Sequence, residues 1–249
     1  MNMSEPIPEI KRRRGIYLLP NLFTTAALFA GFYAITAAVN QRFELAAVAI
    51  FVAMILDGLD GRVARLTNTQ SAFGGEYDSM ADLISFGAAP ALVMYIWALA
   101  GLGKPGWVAA FVHAAGAALR LARFNTQIGT ADKRYFQGLP SPSAAAILAG
   151  FIWTSVEYGF TGPDLAYVGL GLSIATGLLM VSNFRYYSFK DVDLRGRMPF
   201  VKAILIMLAF AAVFTNPPLM LFFVFMGYAV SGPVLTLLML RRRRTERRV

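Results

Sequence analysis

The sequence predicts an all-α, polytopic membrane helical bundle, and three observations lead to that fold class. Hydrophobic residues make up 57% of the 249-residue chain and charged residues only 15%, whereas soluble domains carry about 25% charge. The apolar residues are collected in runs of about the length that crosses a bilayer as a helix. Charged residues, Pro and Gly separate the runs, as in loops between membrane helices.

Eight apolar runs follow one another along the chain, and each is predicted to be a transmembrane helix. The polar residues before the first run and the basic residues after the last run are predicted to lie outside the membrane. The runs are Leu18 to Val39, Phe43 to Gly58, Met80 to Ala100, Gly106 to Leu121, Ser143 to Tyr158, Leu165 to Val181, Val201 to Phe214 and Pro218 to Leu240.

The distribution of Lys and Arg predicts the orientation of the bundle, because cytoplasmic loops are enriched in these residues. With the N-terminus inside, only Arg42 and Lys104 fall on the outer side of the membrane. Both termini are therefore predicted to be cytoplasmic, in a bacterial inner membrane or an archaeal cell membrane. The net charge of +9 predicts contact with anionic lipid. It does not indicate nucleic acid, because the aromatic residues lie inside the apolar runs.

The absence of Cys and the single His113 limit the chemistry that is open to the protein. Disulfides, thiol nucleophiles, Cys-type zinc sites and iron–sulfur clusters are excluded. Any bound metal must therefore be held by oxygen ligands.

Acidic side chains are concentrated after the second run, where five of the chain's 14 Asp and Glu fall between positions 57 and 82. On a helix, Asp57 and Asp60 share one face, and so do Asp78 and Asp82. Two such helices facing each other would bring four carboxylates together, which forces protonation unless cations lie between them. Oxygen-only ligands of this charge predict two Mg²⁺ or Mn²⁺ ions, with Ca²⁺ possible on ligand type alone.

Small residues accompany these acids. Gly61, Ala64 and Gly74 offer little bulk, which would let a flat ring such as a nucleotide base approach the backbone. Arg65 is placed to meet a phosphate. Glycines in membrane helices also serve helix packing, which is the alternative interpretation of Gly61 and Gly74.

The acids and their small neighbours form a spaced pattern of eight specified positions. In order, it is Asp57, two residues, Asp60-Gly61, two residues, Ala64-Arg65, eight residues, Gly74, three residues, Asp78, three residues, Asp82. This pattern resembles the signature of the CDP-alcohol phosphatidyltransferases. Three further stretches look like the bacterial membrane-embedded phosphatidylserine synthases, a branch of that family: Arg14 to Thr25, Leu119 to Asn125 and Phe136 to Pro142.

The resemblance implies a six-helix catalytic core and two additional helices. Carried onto this chain, it divides the sequence into an N-terminal segment 1–17, a core 18–181, a cytoplasmic loop 182–200, two spans 201–240 and a basic tail 241–249. The implied reaction transfers the phosphatidyl group of CDP-diacylglycerol to the hydroxyl of L-serine and releases CMP. The family is usually dimeric, so a homodimer is expected.

The resemblance also implies roles for the signature residues. Asp57, Asp60, Asp78 and Asp82 would form the site of the two divalent ions, with Asp82 also acting as the general base. CDP-diacylglycerol would lie against Gly61, Ala64, Arg65 and Gly74.

The acceptor is predicted to bind beside the acids. Arg120 and Arg123 share a face at the cytoplasmic end of the fourth run, and a guanidinium suits a carboxylate or a phosphate. At least one of them, with Asn125 and the loop from Phe136 to Ser143, is predicted to bind serine carboxylate or lipid phosphate. Both could instead act only as positive charges that set the orientation of the chain in the membrane.

Three other functions remain open at this point. A sibling enzyme would use glycerol-3-phosphate, inositol phosphate or a second lipid as acceptor, and the core pattern does not separate these acceptors. A cation transporter or channel would place acids at mid-membrane on several spans. An intramembrane prenyltransferase would need a second Asp-rich motif, and the second half of the chain offers only Asp191 and Asp193.

Overall fold

The computed structural model describes residues 18–67, 69–126, 135–187, 204, 207–208, 211 and 213–246. Within these residues the chain forms an all-α bundle with one short two-stranded antiparallel ribbon. The predicted segment 1–17, residues 188–200 of the predicted loop and residues 247–249 of the predicted tail lie outside the described part.

The first six helices follow the predicted order, and two short strands lie after the fourth and the sixth of them. They are α1 (Leu18–Val39), α2 (Phe43–Leu66), α3 (Ala72–Leu102), α4 (Lys104–Thr126), β1 (Tyr135–Gln137), α5 (Ser141–Glu157), α6 (Ala166–Val181) and β2 (Arg185–Tyr187). Residues 204, 207–208, 211 and 213–215 are helical and are called α7. The last helix, α8 (Pro217–Glu246), continues beyond the predicted end of the eighth run.

Among the helices that are longer than the apolar runs that predicted them, α2 and α3 extend toward the acids. α2 continues from Gly58 to Leu66, and α3 begins at Ala72 instead of Met80. The Ser71 hydroxyl caps the start of α3 by accepting a hydrogen bond from the Gly74 amide at 3.0 Å. All four signature Asp therefore lie on helices, as the spacing argument requires.

Helix α3 is not a regular α-helix along its whole length. It contains two π-helical segments, Leu83–Ala88 and Tyr95–Leu99, and ends in a 3₁₀ turn at Ala100–Leu102. A π-helical turn accommodates an extra residue, and such segments are frequently found at functional sites. The first segment begins directly after Asp82.

Four described stretches are long and apolar enough to cross a membrane: Leu19–Val39, Ala72–Leu102, Pro163–Val181 and Pro217–Leu238. The described residues of the other predicted spans are largely helical. α5 has 17 residues, and α2 carries Glu44, Asp57 and Asp60 among its first 18 residues. The number of helices agrees with the eight runs.

Small side chains allow the helices to approach closely. α1 packs along α2, and α4 packs along α6. The core between the helices is rich in buried Ala, which is typical of helix interfaces in membranes. Where α4 crosses α6, a Cβ on Gly177 would lie 2.5 Å from the Val112 carbonyl oxygen, and a Cβ on Gly116 would lie 2.5 Å from the Gly177 carbonyl oxygen.

The ribbon connects the six-helix core to α8. β1 pairs antiparallel with β2, placing Phe136 opposite Tyr186. The Tyr186 ring is buried and packs at Gly232 of α8. Burial raises the pKa of Tyr186 to about 12, so its phenol is neutral near pH 7 and donates to the Ala229 carbonyl at 3.0 Å. No strand was predicted here, and the ribbon holds the last helix against the core.

Candidate active site

Five helix ends meet at one end of the bundle and build the site. The start of α1 supplies Thr24, the end of α2 supplies Asp57 and Asp60, and the start of α3 supplies Asp78 and Asp82. The end of α4 and the start of α5 supply Arg120 and Ser141. The polar residues of the site are thus collected at a single boundary of the apolar bundle.

Three of the four signature carboxyl groups form a compact trio. One oxygen from each of Asp57, Asp60 and Asp78 lies within 4.8 Å of the others. Asp60 is buried, and Asp57 and Asp78 are half-buried. The geometry thus brings α2 and α3 together as the spacing of the acids predicted.

Asp82 lies beside this trio and contacts Asp57. The Asp82 carboxyl group lies close to that of Asp57, and the Asp78 carboxyl group lies close to that of Asp60. Carboxyl groups come this close only when a proton or a cation lies between them. The four acids therefore form two linked pairs at the α2–α3 interface.

The donor set fits divalent metal ions. Asp78 Oδ1 is buried without a hydrogen-bond partner among the described residues, which is costly unless a ligand completes it. Several carboxylate oxygens around a common centre match the ligands that Mg²⁺ and Mn²⁺ prefer. Asp57, Asp60 and Asp78 can thus serve as metal ligands.

Helix α1 supports the cluster through Thr24. The Thr24 hydroxyl is buried and donates to Asp60 Oδ2 at 2.7 Å. A donor of this kind fixes the orientation of a carboxylate that binds a metal. The neighbouring Thr25 hydroxyl bonds instead with the Tyr77 hydroxyl at 2.8 Å, so adjacent residues of α1 hold α2 and α3.

The small residues of the signature differ in the space around them. A Cβ added at Gly61 would meet nothing within 4 Å, so the surface of α2 is open there. At Gly74 a Cβ would lie 3.1 Å from Ser71 Oγ and 3.5 Å from Asn21 Oδ1. Ala64 is half-buried, and Arg65 is exposed in the last turn of α2. Open backbone and an exposed cation are thus found at Gly61 and Arg65.

Arg120 faces the acids from α4. Its guanidinium donates to Ser141 Oγ at 2.8 Å and interacts electrostatically with Asp82 and Asp57. Its Nε is buried and has no hydrogen-bond partner among the described residues. A buried guanidinium N–H without an acceptor is the group that a bound carboxylate would satisfy.

Arg123 and Asn125 have different partners. The Arg123 guanidinium donates to the carbonyls of Val181, Gln137, Met180 and Ser182 at 3.0 to 3.3 Å, and to Asn183 Oδ1 at 3.4 Å. Arg123 thereby satisfies the free carbonyls at the end of α6. Asn125 exchanges hydrogen bonds with Ser79 at 3.1 and 3.2 Å. Both side chains connect helices around the site.

The model of the CDP-alcohol phosphatidyltransferase family matches residues 17–181 of this chain. The chain belongs to the CDP-alcohol phosphatidyltransferase family. The matched region contains the five helix ends that build the site, together with the ribbon strand β1. Family membership sets aside the transporter and prenyltransferase alternatives.

Curated relatives from different organisms are all named CDP-diacylglycerol–serine O-phosphatidyltransferase. The chain is 39% identical over 218 residues to the CDP-diacylglycerol–serine O-phosphatidyltransferase of Helicobacter pylori, covering 87% of this chain and 90% of that protein. The Mycobacterium tuberculosis protein of that name is 34% identical over 235 residues, covering 89% and 79%. The Methanocaldococcus jannaschii protein is 37% identical over 142 residues, covering 57% and 63%.

Ser141 belongs to the loop that was predicted to join the acceptor site, and the structure places it against Arg120. Sequence reasoning on this phosphatidyltransferase missed Thr24 and Tyr228. Thr24 lies within a stretch that carried the resemblance, but no spacing rule connects it to the acids. Tyr228 of α8 interacts electrostatically with Arg120, and its hydroxyl donates to the Tyr187 carbonyl at 3.1 Å. No pattern in the sequence singled out Tyr228, because its contact depends on how α8 packs.

Proposed function

We propose that this protein transfers the phosphatidyl group of CDP-diacylglycerol to the hydroxyl of L-serine, giving phosphatidylserine and CMP. The observation that carries the proposal is the four-carboxylate cluster with the incompletely paired Arg120 beside it. Family membership supplies the phosphatidyl transfer, and the names of the relatives support serine as the acceptor.

The acids divide into two roles in this proposal. Asp57, Asp60 and Asp78 would hold two Mg²⁺ or Mn²⁺ ions, and Asp82 would complete their site. Such ions, when bound, neutralise the charge of a diphosphate and of the leaving CMP. The two helices that carry the ligand trio both pack against α1, so the acids are preorganised and need little rearrangement.

Asp82 is proposed as the general base. A serine hydroxyl is a weak nucleophile near neutral pH, and a carboxylate within reach of its proton lowers the barrier. As the serine oxygen bonds to the phosphorus of the phosphatidyl group, its proton passes to Asp82. The bond from that phosphorus to the CMP oxygen breaks, and CMP leaves with the electron pair.

Arg120 is proposed to bind the serine carboxylate. Its buried Nε–H lacks an acceptor among the described residues, and Ser141 holds another of its nitrogens at 2.8 Å. A carboxylate bound here would place the amino acid beside Asp82, with which Arg120 already interacts. Arg123 is a poorer candidate because its donors are taken by carbonyl groups.

The CDP group is proposed to lie against the end of α2. The open backbone at Gly61 leaves room for a flat base, and the exposed Arg65 can reach a phosphate. Ala64 and Gly74 are small residues, which leave room for the CDP group beside them. The proposal also includes a cytoplasmic site and contact with anionic lipid. It further includes a homodimer, and light scattering of the purified protein would test that oligomeric state.

An acceptor assay tests the proposal directly. Purified protein in detergent would receive CDP-diacylglycerol and Mn²⁺ or Mg²⁺ with serine, glycerol-3-phosphate or inositol phosphate in separate reactions. We expect CMP release only with serine. Release that depends on a phosphorylated acceptor instead would make the protein a sibling phosphatidyltransferase and would contradict the role given to Arg120.

Replacing Asp82 tests the base. The Asp82→Asn variant keeps the shape of the side chain but cannot accept the serine proton, so we expect kcat to fall by roughly 10²–10⁴-fold. The metal concentration for half-maximal activity should change far less than kcat. A near wild-type kcat in Asp82→Asn would show that another group takes the proton.

A further inference from the structure

His113 lies outside the acid cluster but is hydrogen-bonded to α3, the helix that carries Asp78 and Asp82. Its side chain is completely buried in α4. The ring Nε2 lies 3.2 Å from the Phe86 carbonyl oxygen of α3, and Nδ1 lies 2.8 Å from the Thr176 hydroxyl of α6. One side chain thus connects three helices.

The partners assign the proton of the His113 ring. A carbonyl oxygen only accepts hydrogen bonds, so Nε2 carries the proton and donates to Phe86. In the neutral ring, Nδ1 is then an acceptor for the Thr176 hydroxyl, which also lies 2.8 Å from the Leu172 carbonyl oxygen of its own helix. Both ring nitrogens are satisfied in the neutral ring, and the bond to Phe86 ends in the π-helical segment Leu83–Ala88.

That segment determines where Asp82 faces. Each residue of an α-helix advances the side-chain direction by about 100°, so one extra residue in a turn rotates the preceding acids by about that angle relative to the remainder of α3. Asp82 is the last residue before the segment. The direction of its carboxyl group therefore depends on the widened turn being maintained.

The widened turn is held from two sides. Ser85 Oγ donates to the Ala27 carbonyl of α1 at 3.1 Å. On the other side, a Cβ on Gly87 would lie 3.0 Å from the Cβ of Ala117 in α4. His113, Ala117 and Arg120 share one face of α4, since they are four and then three residues apart. The face of α4 that fixes the π-helical segment thus ends in the cation that faces Asp82.

We propose that His113 is a positioning residue for phosphatidyl transfer, acting through the Phe86 carbonyl to hold the π-helical turn that directs Asp82 toward Asp57 and Arg120. The inference rests on the proposed function only in giving Asp82 the role of base. A buried His that served only helix packing would contribute to stability and would not affect the chemical step selectively.

Substitutions of His113 distinguish these roles. His113→Leu removes both hydrogen bonds, whereas His113→Gln keeps one donor and one acceptor. Supporting residues of a catalytic site change activity by roughly 10–100-fold, and we expect that loss in the kcat of His113→Leu. The KM values for CDP-diacylglycerol and serine should stay within about threefold of wild type, as for a change confined to the transition state. His113→Gln should recover most of the kcat.

Ser173→Ala is the matched control. Ser173 is completely buried in α6 one turn from Thr176, and its hydroxyl donates only within its own helix, to the Gly169 carbonyl at 2.8 Å. We expect its kcat to remain near wild type. Thr176→Val removes the hydroxyl that holds His113 Nδ1, and it provides the test if His113→Leu does not give a monodisperse protein. Its kcat should fall while both KM values stay close to wild type.

Several results would overturn the inference. One is a kcat for His113→Leu, or for Thr176→Val in its place, within about threefold of wild type. Others are an equal loss in Ser173→Ala or in His113→Gln, or a rise in both KM values that accompanies the loss of kcat. If serine did not support CMP release in the wild type, only the proposed acceptor would be contradicted. The His113 variants would then be assayed with the acceptor that the wild type does use.

Discussion

Thr24 shows how a single hydroxyl can connect the acid cluster to a helix that has no acid of its own. It is buried and donates to Asp60 Oδ2 at 2.7 Å, whereas Thr25 bonds to Tyr77 near the surface. Adjacent residues of identical chemistry thus have different partners. At the scale of residues, the site depends on these partners as well as on the acids.

Replacing Thr24 should weaken metal binding. Thr24→Val keeps the shape of the side chain but removes the donor to Asp60, and loss of such a supporting bond costs roughly 10–100-fold in metal affinity. We expect the Mn²⁺ concentration for half-maximal activity to rise by that factor. Thr25→Val is the matched control, and an equal rise in that variant would contradict a specific role for Thr24.

Substitutions of Arg120 and Arg123 should have different effects, the first on serine binding and the second on stability. Arg120→Ala should raise the KM for serine about tenfold or more, because a charged hydrogen-bond partner is lost, with little change in the KM for CDP-diacylglycerol. Arg123→Ala should instead lower the thermal unfolding temperature in detergent, because it leaves four backbone carbonyls without that donor. If Arg123→Ala changed the serine KM and Arg120→Ala did not, the assignment of the two arginines would be reversed.

The sequence predicted the acids of the site well and their supporting residues poorly. Asp57, Asp60, Asp78 and Asp82 were predictable because positions three or four apart on a helix share a face. The contact of Thr24 with Asp60 spans 36 residues, and no local periodicity encodes such a distance. The same holds for the bond from Arg120 to Ser141, which joins the end of α4 to the first residue of α5 across 21 residues.

At the scale of elements, the close crossing of α4 and α6 is a specific packing feature. Gly116 and Gly177 lie where the backbones meet, and each excludes a larger residue because a carbonyl oxygen occupies the space. The crossing brings α6 near the end of α4, where Arg123 binds the last carbonyls of α6. Two glycines therefore help to determine the position of Arg120 as well.

Enlarging Gly177 should destabilise the bundle. An added Cβ would lie 2.5 Å from the Val112 carbonyl oxygen, and forcing apart a well-packed interface costs about 1–3 kcal/mol. We expect Gly177→Ala to unfold at a lower temperature than wild type in detergent. Gly171→Ala is the control on the same helix, because nothing lies within 4 Å of that position. Equal unfolding temperatures for the two variants would contradict tight packing at Gly177.

Element boundaries were predictable where an apolar run ends at a turn and not where a helix continues into the site. α1 has its predicted bounds, since its apolar run coincides with the helix. α2 and α3 extend beyond their apolar runs. The acids in these extensions do not end the helices, because those of α2 lie against those of α3. The π-helical segments leave no mark on hydrophobic periodicity.

At the scale of the whole molecule, the acids and the connections that carry Arg42 and Lys104 lie at opposite ends of the bundle, and the cytoplasmic position of the acids stays a prediction. The acids, Arg120 and the ribbon lie at one end of the bundle. The opposite end carries the short connections at residues 40–42 and at Gly103, next to Arg42 and Lys104. The ribbon was not predicted, because strands of three residues are too short to produce a period in the sequence.

The absence of native Cys allows a simple test of orientation. Gln70 is exposed in the connection before α3, and Gly101 lies at the opposite end of that helix with nothing within 4 Å. In intact cells, a membrane-impermeant maleimide should label Gly101→Cys and not Gln70→Cys. Both should be labelled after the membrane is opened. The reverse pattern in intact cells would place the acid cluster outside.

The widened turn after Asp82 makes the protein sensitive to chain length at this point. Side chains between Leu83 and Ala88 can be exchanged without changing the number of residues in the turn. Loss of one residue there would favour an ordinary α-helical turn and rotate Asp78 and Asp82 together by about 100°, away from Asp57 and Asp60. Insertions and deletions in this segment should therefore be selected against more strongly than substitutions.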